Sequence, residues 1–345
     1  MAGTNPGFSI PMTNSSKVSI IIPVKPGGVV RALRGLQKQE NPSVPFEVLI
    51  AEGVRPSRQR NIAVADSSGE IICFLDDDSM VSPEFLSRVV RHFDDPKVSV
   101  VGGPSLTPDS DSALQHAFSM VFASAFGGGG MRNRYRMTGD VRKSSDRELI
   151  LCNMAFRRET FLAYGGFDER LYPNEENELL ERVKRGGGVL IHDPLFSVVR
   201  SQRPTIGAFC RQLFSYGKGR GRQTVISGVI RPITFIPSVF LIYLLLLPFA
   251  NKAVYYIPLL CYLILVVMTA VFEGIKSGRP LSALFLPLVF PMFHLCYGSG
   301  MIRGLCSSVK KDPSLSSEVT IRRIKTFEGE WKSGTWDRGS ATGSI

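Results

Sequence analysis

Three stretches of this chain, 232–250, 253–272 and 281–302, contain no Asp, Glu, Lys or Arg, and each is close to the roughly 20 residues that cross a bilayer as a helix. Three such runs separated by short polar joints predict a helical membrane region over 231–303, with two to three spans. Prolines 232, 237, 248, 287 and 291 suggest that one run is re-entrant or interfacial rather than spanning. Met1 to Ser16 is polar and lacks the basic start and apolar centre of an export signal, so residues 1–16 are expected to be a disordered cytoplasmic terminus. The net charge of +11 would suit a nucleic-acid binder. Its placement argues for lipid instead: Arg200, Arg203, Arg211, Lys218, Arg220, Arg222 and Arg231 lead into the first apolar run, and no Asp or Glu lies between Pro194 and Phe272. The expectation is a multi-pass protein of the cytoplasmic (inner) membrane, its soluble part facing the cytoplasm, with no nucleic-acid partner. Three crossings would put the 304–345 tail outside, whereas Lys310, Lys311, Arg322 and Arg323 favour inside. That tail reads as polar and loosely ordered. Six cysteines without a Cys-x-x-Cys pair suggest neither disulfides nor a zinc site.

Residues 17–203 alternate strand and helix at the spacing of an α/β domain with a largely parallel sheet. Val18 to Val24, Phe46 to Ala51, Ile71 to Leu75, Val98 to Gly102, Leu149 to Arg157, Val189 to Ile191 and Ser197 to Val199 read as strands. Val30 to Lys38, Ser57 to Asp66, Pro83 to Phe93, Arg158 to Tyr164 and the stretch opening at Asn174 read as helices, Asn174 serving as N-cap. Between Pro104 and Leu149 the period weakens around the glycine run 127–130, a flexible loop followed by a basic segment that reads as a lid or a surface loop. Over 204–230 the apolar positions Ile206, Phe209, Cys210, Leu213 and Phe214 make an amphipathic helix that either lies on the membrane or packs on the soluble domain.

The strand Ile71 to Leu75 stops on three carboxylates, Asp76, Asp77 and Asp78. In an open α/β sheet ligands bind at the carboxyl ends of strands. Oxygens at i and i+2 suit a hard cation, Mg²⁺ or Mn²⁺, shared with substrate phosphates; a solvated acidic turn is the plain alternative. A second acidic group, Glu175 and Glu176, opens the helix after Asn174, where a general base or a stabilised helix start are both reasonable.

Together these motifs resemble family 2 glycosyltransferases of the GT-A fold over about residues 17–225. Val18-Ser-Ile-Ile-Ile-Pro23 is similar to the family's first strand. Arg58-Gln-Arg-Asn-Ile-Ala-Val-Ala65 followed by Gly69 to Asp78 resembles its second motif, with Asp76 and Asp78 at the Asp-x-Asp metal positions. Asn153 to Glu159 and Gly165 to Glu169 resemble the acceptor motif, and Asn174 to Leu179 the base motif. The arrangement of soluble domain, Gln212 to Arg220 and membrane segment is also similar to bacterial exopolysaccharide glycosyltransferases of the succinoglycan type.

The resemblance implies an inverting, metal-dependent hexosyltransferase of polysaccharide synthesis, taking a nucleotide-sugar donor and a lipid-linked acceptor such as a polyprenyl-diphosphate saccharide. It implies Glu176 or Glu175 as base, and Pro23, Glu52, Arg60, Asp77, Arg220 and Arg222 on the donor, the two last equally suited to lipid headgroups. Asn153, Phe167, Asp168 and Gln212 would meet the acceptor. Departures are Ala51-Glu-Gly-Val54 where the family has Asp-Asp-Gly-Ser, Glu176 for the usual Asp, and no Gln-x-x-Arg-Trp, which argues against a processive polymerase. Alternatives are transfer to a bare polyprenyl phosphate, and an inactive membrane scaffold. Donor, linkage and oligomeric state are left open.

Overall fold

The computed structural model describes residues 16–39, 44–307, 318–329 and 331–332. Residues 1–15 of the expected N-terminal segment lie outside them, as do Lys310 and Lys311.

An eight-stranded mixed sheet forms the centre of the soluble domain. In chain order its strands are β1 Val18–Val24, β2 Phe46–Glu52, β3 Ile71–Leu75, then, after the short β4 Met80–Val81, β5 Val98–Gly102. The short β6 Ser105–Leu106 precedes β7 Arg142–Lys143, β8 Asn153–Arg157, β9 Val189–His192, the short β10 Val198–Val199, and β11 Thr320–Lys325. The spatial order is β11-β2-β1-β3-β8-β5-β9-β7, and β4, β10 and β6 make a separate small sheet. β2, β1 and β3 are parallel, as are β5 and β9, but β8 runs antiparallel to both β3 and β5. The sheet is therefore mixed, where the sequence suggested a largely parallel one. After β5 the chain makes its long excursion at the carboxyl end of the sheet and re-enters from that same end, which reverses β8.

Strand alternation sorts the core. Ile20, Ile22, Cys73 and Leu75 face helices α1 Leu33–Leu36 and α3 Phe85–Phe93, while Ile21, Ile72 and Phe74 face α2 Pro56–Asp66, α5 Arg158–Ala163 and α6 Glu175–Arg185. All seven side chains are at most 1% exposed. α1 is one turn long, shorter than Val30 to Lys38, because the segment is pinned across the acidic turn: Ala32 N–H donates to Asp77 O (3.0 Å), and a Cβ on Gly35 would lie 2.9 Å from Val81 O.

Within the stretch of weak period lies α4 Ala113–Ala123, opened by a capping box in which Ser112 and Gln115 satisfy each other's backbone N–H. α7 Ile206–Ser227 extends the amphipathic segment to 22 residues. Phe209 and Leu213 are fully buried, Phe209 stacking on Phe118 of α4 (centroids 3.9 Å, 5°), so this face packs on the protein.

The three apolar runs part company. Pro232–Phe249, which contains α8 Ile236–Leu246, and Ala253–Ser277, which contains α9 Ile257–Ser277, are long and apolar enough to cross a membrane, and only 11% of an 18-residue stretch of each is buried. The third run becomes α10 Pro280–Ala283 and α11 Leu286–Leu305, and α11 is held against α7 by glycines. A Cβ on Gly217 would lie 2.0 Å from Tyr297 O, and one on Gly300 2.1 Å from Phe214 O, so the backbones touch and α11 packs on the protein, while Leu281, Leu284 and Leu288 earlier in the run stay exposed. Both ends of the α8–α9 hairpin are tied to the soluble domain. Arg231 pairs with Asp146 (2.6 Å) and Glu181 (3.4 Å), and Arg279 with Asp109 (2.5 Å). Part of the tail is also ordered: β11 pairs antiparallel with β2, Arg323 meets Glu47 (3.0 Å), and Trp331 packs edge-on to Phe46.

Candidate active site

The carboxylates after β3 form a turn, with Ser79 N–H donating to Asp76 O (3.1 Å). The turn nonetheless brings Asp76 and Asp78 to one place. The Arg200 guanidinium, immediately after β10, sits 3.1 Å from Asp76 Oδ2 and 2.6 Å from Asp78 Oδ1. On the other side of Asp76, Arg60 of α2 reaches Oδ1 at 2.9 Å and with its second terminal nitrogen meets Glu175 Oε1 of α6 at 3.0 Å. A guanidinium fork suits such bridging. One buried arginine thus joins two acidic motifs a hundred residues apart in the chain.

Charge balance follows from these contacts. Burial opposes ionisation of Asp76, but Arg200 and Arg60 outweigh it and hold its carboxyl below the usual range. Asp77, whose neighbours are carboxylates, is pushed up to about 6 by burial and then by Asp78 and Asp76. Glu175, 1% exposed, is raised to about 8 by burial and the adjacent Glu176, which together outweigh Arg60 despite its short contact. Its Oε2 has no hydrogen-bond partner among the described residues.

Glu176 differs from its neighbour. It accepts from Asn177 (3.0 Å), lies 3.6 Å from Arg134, and lines a small cavity of about 90 Å³ with Asn174, Tyr216 and Arg220. Asn174 has a left-handed backbone (φ 90°) and makes no capping bond. Its side chain goes to Gln223 and Asn177 instead, which correlates α6 with α7.

The remaining candidates fall in several places. Pro23 is buried in β1 opposite Ala51. Glu52 accepts from Gly27 N–H (3.1 Å) and pairs with Arg322 of β11 (3.0 Å). Asn153 is fully buried and donates to the Phe196 carbonyl, and Phe167 is a core ring beside Phe74 and Phe161. Asp168 is gripped by Arg170 (2.6 Å). Gln212 donates to the Tyr216 hydroxyl (2.8 Å). Arg220 lines the Glu176 cavity, whereas Arg222 shares the environment of Lys218, where Arg303 is the other nearby cation. Arg200 and Arg134 were not among the residues singled out as site members; the position of Arg200 directly after a closing strand, at the ligand end of the sheet, was the available signal.

Among the described residues no three His, Cys, Asp or Glu side chains form a ready metal cage. Two carboxylates closing on one guanidinium do converge on a single positive charge, and Mg²⁺-like ions commonly take one or two carboxylates and draw their other ligands from phosphate and water. Asp76 and Asp78 fit such an ion.

A search of the curated proteins found no match. Among solved structures, mannosyltransferase PcManGT from Pyrobaculum calidifontis, in complex with GDP-Man and Mn²⁺, is similar at a TM-score of 0.50 and 14% identity, over 84% of this chain and 87% of that one. S. aureus TarS 1-349 with UDP-GlcNAc gives 0.44 and 11%, over 83% and 91%. Residues 28–165 match the family model described as Glycosyl transferase family 2. The soluble domain accordingly has a GT-A fold, and its residues 28–165 are similar to family 2 glycosyltransferases.

Proposed function

We propose that the protein is an inverting hexosyltransferase that moves a sugar from a nucleoside-diphosphate donor to a hydroxyl of a lipid-linked saccharide at the cytoplasmic face of a membrane. The observation that carries this reading is the Arg60 bridge between Asp76 and Glu175, which sets the donor-side carboxylates and the base helix at a fixed separation.

Asp76 and Asp78 would hold Mg²⁺ or Mn²⁺, which supplies charge neutralisation to the leaving diphosphate; the Mn²⁺ and GDP-Man in the Pyrobaculum structure support this choice. Arg200 already spans both carboxylates, so it leaves them when the donor enters and is placed to meet the diphosphate oxygens. Glu176 takes the acceptor proton, a role worth about 10² to 10⁴ in rate. Glu175, buried and tied to Arg60, holds the geometry instead. With base and leaving group on opposite sides of the sugar, a single displacement inverts its configuration.

The membrane assignment draws on the exposed α8–α9 hairpin. Ile236, Leu245, Met268 and Phe272 are each more than 60% exposed. Both ends of the hairpin return to the soluble domain, so the chain crosses twice and the tail lies on the catalytic side. Two crossings are consistent with the basic residues of the tail lying on the cytoplasmic side. Transfer to a bare phosphate needs no base, and Glu176 facing a cavity favours a hydroxyl acceptor. The test is turnover of a panel of nucleotide sugars by the full chain in detergent, with Mn²⁺, with EDTA, and with Asp78→Ala. Metal-dependent turnover of a donor, lost in the variant, is expected. No turnover of any donor, even with membrane lipid extract present, would favour the scaffold reading.

A further inference from the structure

A second cavity, of about 420 Å³, lies between the glycine run 127–130 and the α8–α9 hairpin. It shares Gly128, Met131, Arg220, Phe293 and Tyr297 with the Glu176 cavity, so the two adjoin and Arg220 lines both. Arg147, Arg231, Thr234 and His294 also line it, but most of the wall is apolar, with Phe240, Tyr262 and Phe293, and it runs out past Ile233 and Ile236, which are more than 60% exposed on the hairpin surface.

Arg220 is 6% exposed and has no carboxylate within ion-pair distance among the described residues. Its guanidinium donates to Gln223 Oε1 (2.8 Å) and hydrogen-bonds Tyr297. A buried cation without a counter-charge is costly, so the site is complete only with an anion. Arg147, exposed at the rim of the same cavity and likewise without a carboxylate partner among the described residues, adds a second positive charge.

We infer that this cavity binds the phosphate and first chain segment of the acceptor lipid, with Arg220 as the phosphate clamp. The inference rests on the transferase reading above and locates its acceptor. The order across the two adjoining cavities is base, cation, apolar wall, membrane-facing surface. That is the order of parts in a glycosyl phospholipid, whose sugar hydroxyl precedes its phosphate and whose phosphate precedes its chain. Neither cavity is lined by Asp76 or Asp78, the carboxylates assigned to the donor side. Arg220 therefore serves the acceptor, where the sequence resemblance had implied the donor diphosphate.

The test is binding of farnesyl diphosphate to the full chain in detergent, followed calorimetrically, against farnesol and inorganic diphosphate. Farnesyl diphosphate is expected to bind at least tenfold tighter than either part alone. Arg220→Gln and, independently, Thr234→Trp, which fills the apolar slot, should each weaken it at least tenfold; thermal unfolding checks that both are folded, and Arg220→Lys should recover part of the loss. Unchanged binding in both variants, competition by UDP or GDP, or no binding to the wild type would overturn the assignment. The two readings fail separately: nucleotide-sugar turnover without farnesyl diphosphate binding leaves the transferase and removes this site, and binding without turnover of any donor does the reverse.

Discussion

Replacing Arg200 by alanine should make the free protein bind Mn²⁺ more tightly. The guanidinium contacts Asp76 at 3.1 Å and Asp78 at 2.6 Å, so a cation entering between those carboxylates must first displace it. Hydrogen bonds to charged groups contribute about 1.5–3 kcal/mol each. Arg200 is 21% exposed and Asp78 34%, and solvent screening lowers the value of such pairs. About 2 kcal/mol for both contacts together is a reasonable figure, which corresponds to roughly 30-fold in affinity. The assay is titration of nucleotide-free protein with Mn²⁺, following the unbound ion by electron paramagnetic resonance, so no turnover is needed. The wild type should bind weakly and Arg200→Ala roughly 30-fold more tightly, while Asp78→Ala should lose binding whether or not Arg200 is present. Equal or weaker affinity in Arg200→Ala would refute the reasoning, since the guanidinium and the ion would then not share a seat.

Glu176→Gln should lower transfer by about 10² to 10⁴ while calorimetry still detects nucleotide-sugar binding; comparable activity in the variant would remove Glu176 as base. Glu175 has a folded-state pKa raised to about 8, so its protonated form suits the fold, and the associated stability is full below the unfolded value of about 4.5 and is lost as pH rises through 8. Glu175→Gln should therefore melt progressively higher than wild type across that window, and parallel melting curves would count against it. Arg231→Ala leaves Asp146 buried and unpaired at the point where the hairpin joins the domain, and should cost about 2 kcal/mol in denaturant unfolding. Ending the chain after Ser307 removes β11 and bares the β2 edge, so aggregation on mild heating is expected, and unaltered solubility would show that the edge is otherwise protected.

Much of the soluble domain was legible because its signals are local. The bounds of β3 and β5 follow from short apolar runs ended by turn residues, and the acids opening α6 mark its start. α4 was missed although Ser112 and Gln115 spell a capping box, because the glycines that follow dilute the period. The direction of β8 depends on where the chain returns to the sheet, which no residue pattern encodes. Up to residue 302 α11 is as free of charge as a spanning helix, and its close contact with α7, which no residue pattern announces, places it against the protein. The contact of Arg200 with Asp76 and Asp78 was hidden in a basic stretch whose members look alike in sequence, and nothing in the sequence says that Glu176 rather than Glu175 lines a cavity.

The pairing of β11 with β2 bears on how the protein is made. Residues 320–325 are translated after the whole hairpin, so the β2 edge at 46–52 stays open while the apolar helices emerge. At about 5–20 residues per second that interval is on the order of 15 to 50 seconds. The central sheet is thus finished only after the apolar hairpin has left the ribosome, and a nascent chain stalled at the hairpin would present an uncapped sheet edge to chaperones and proteases.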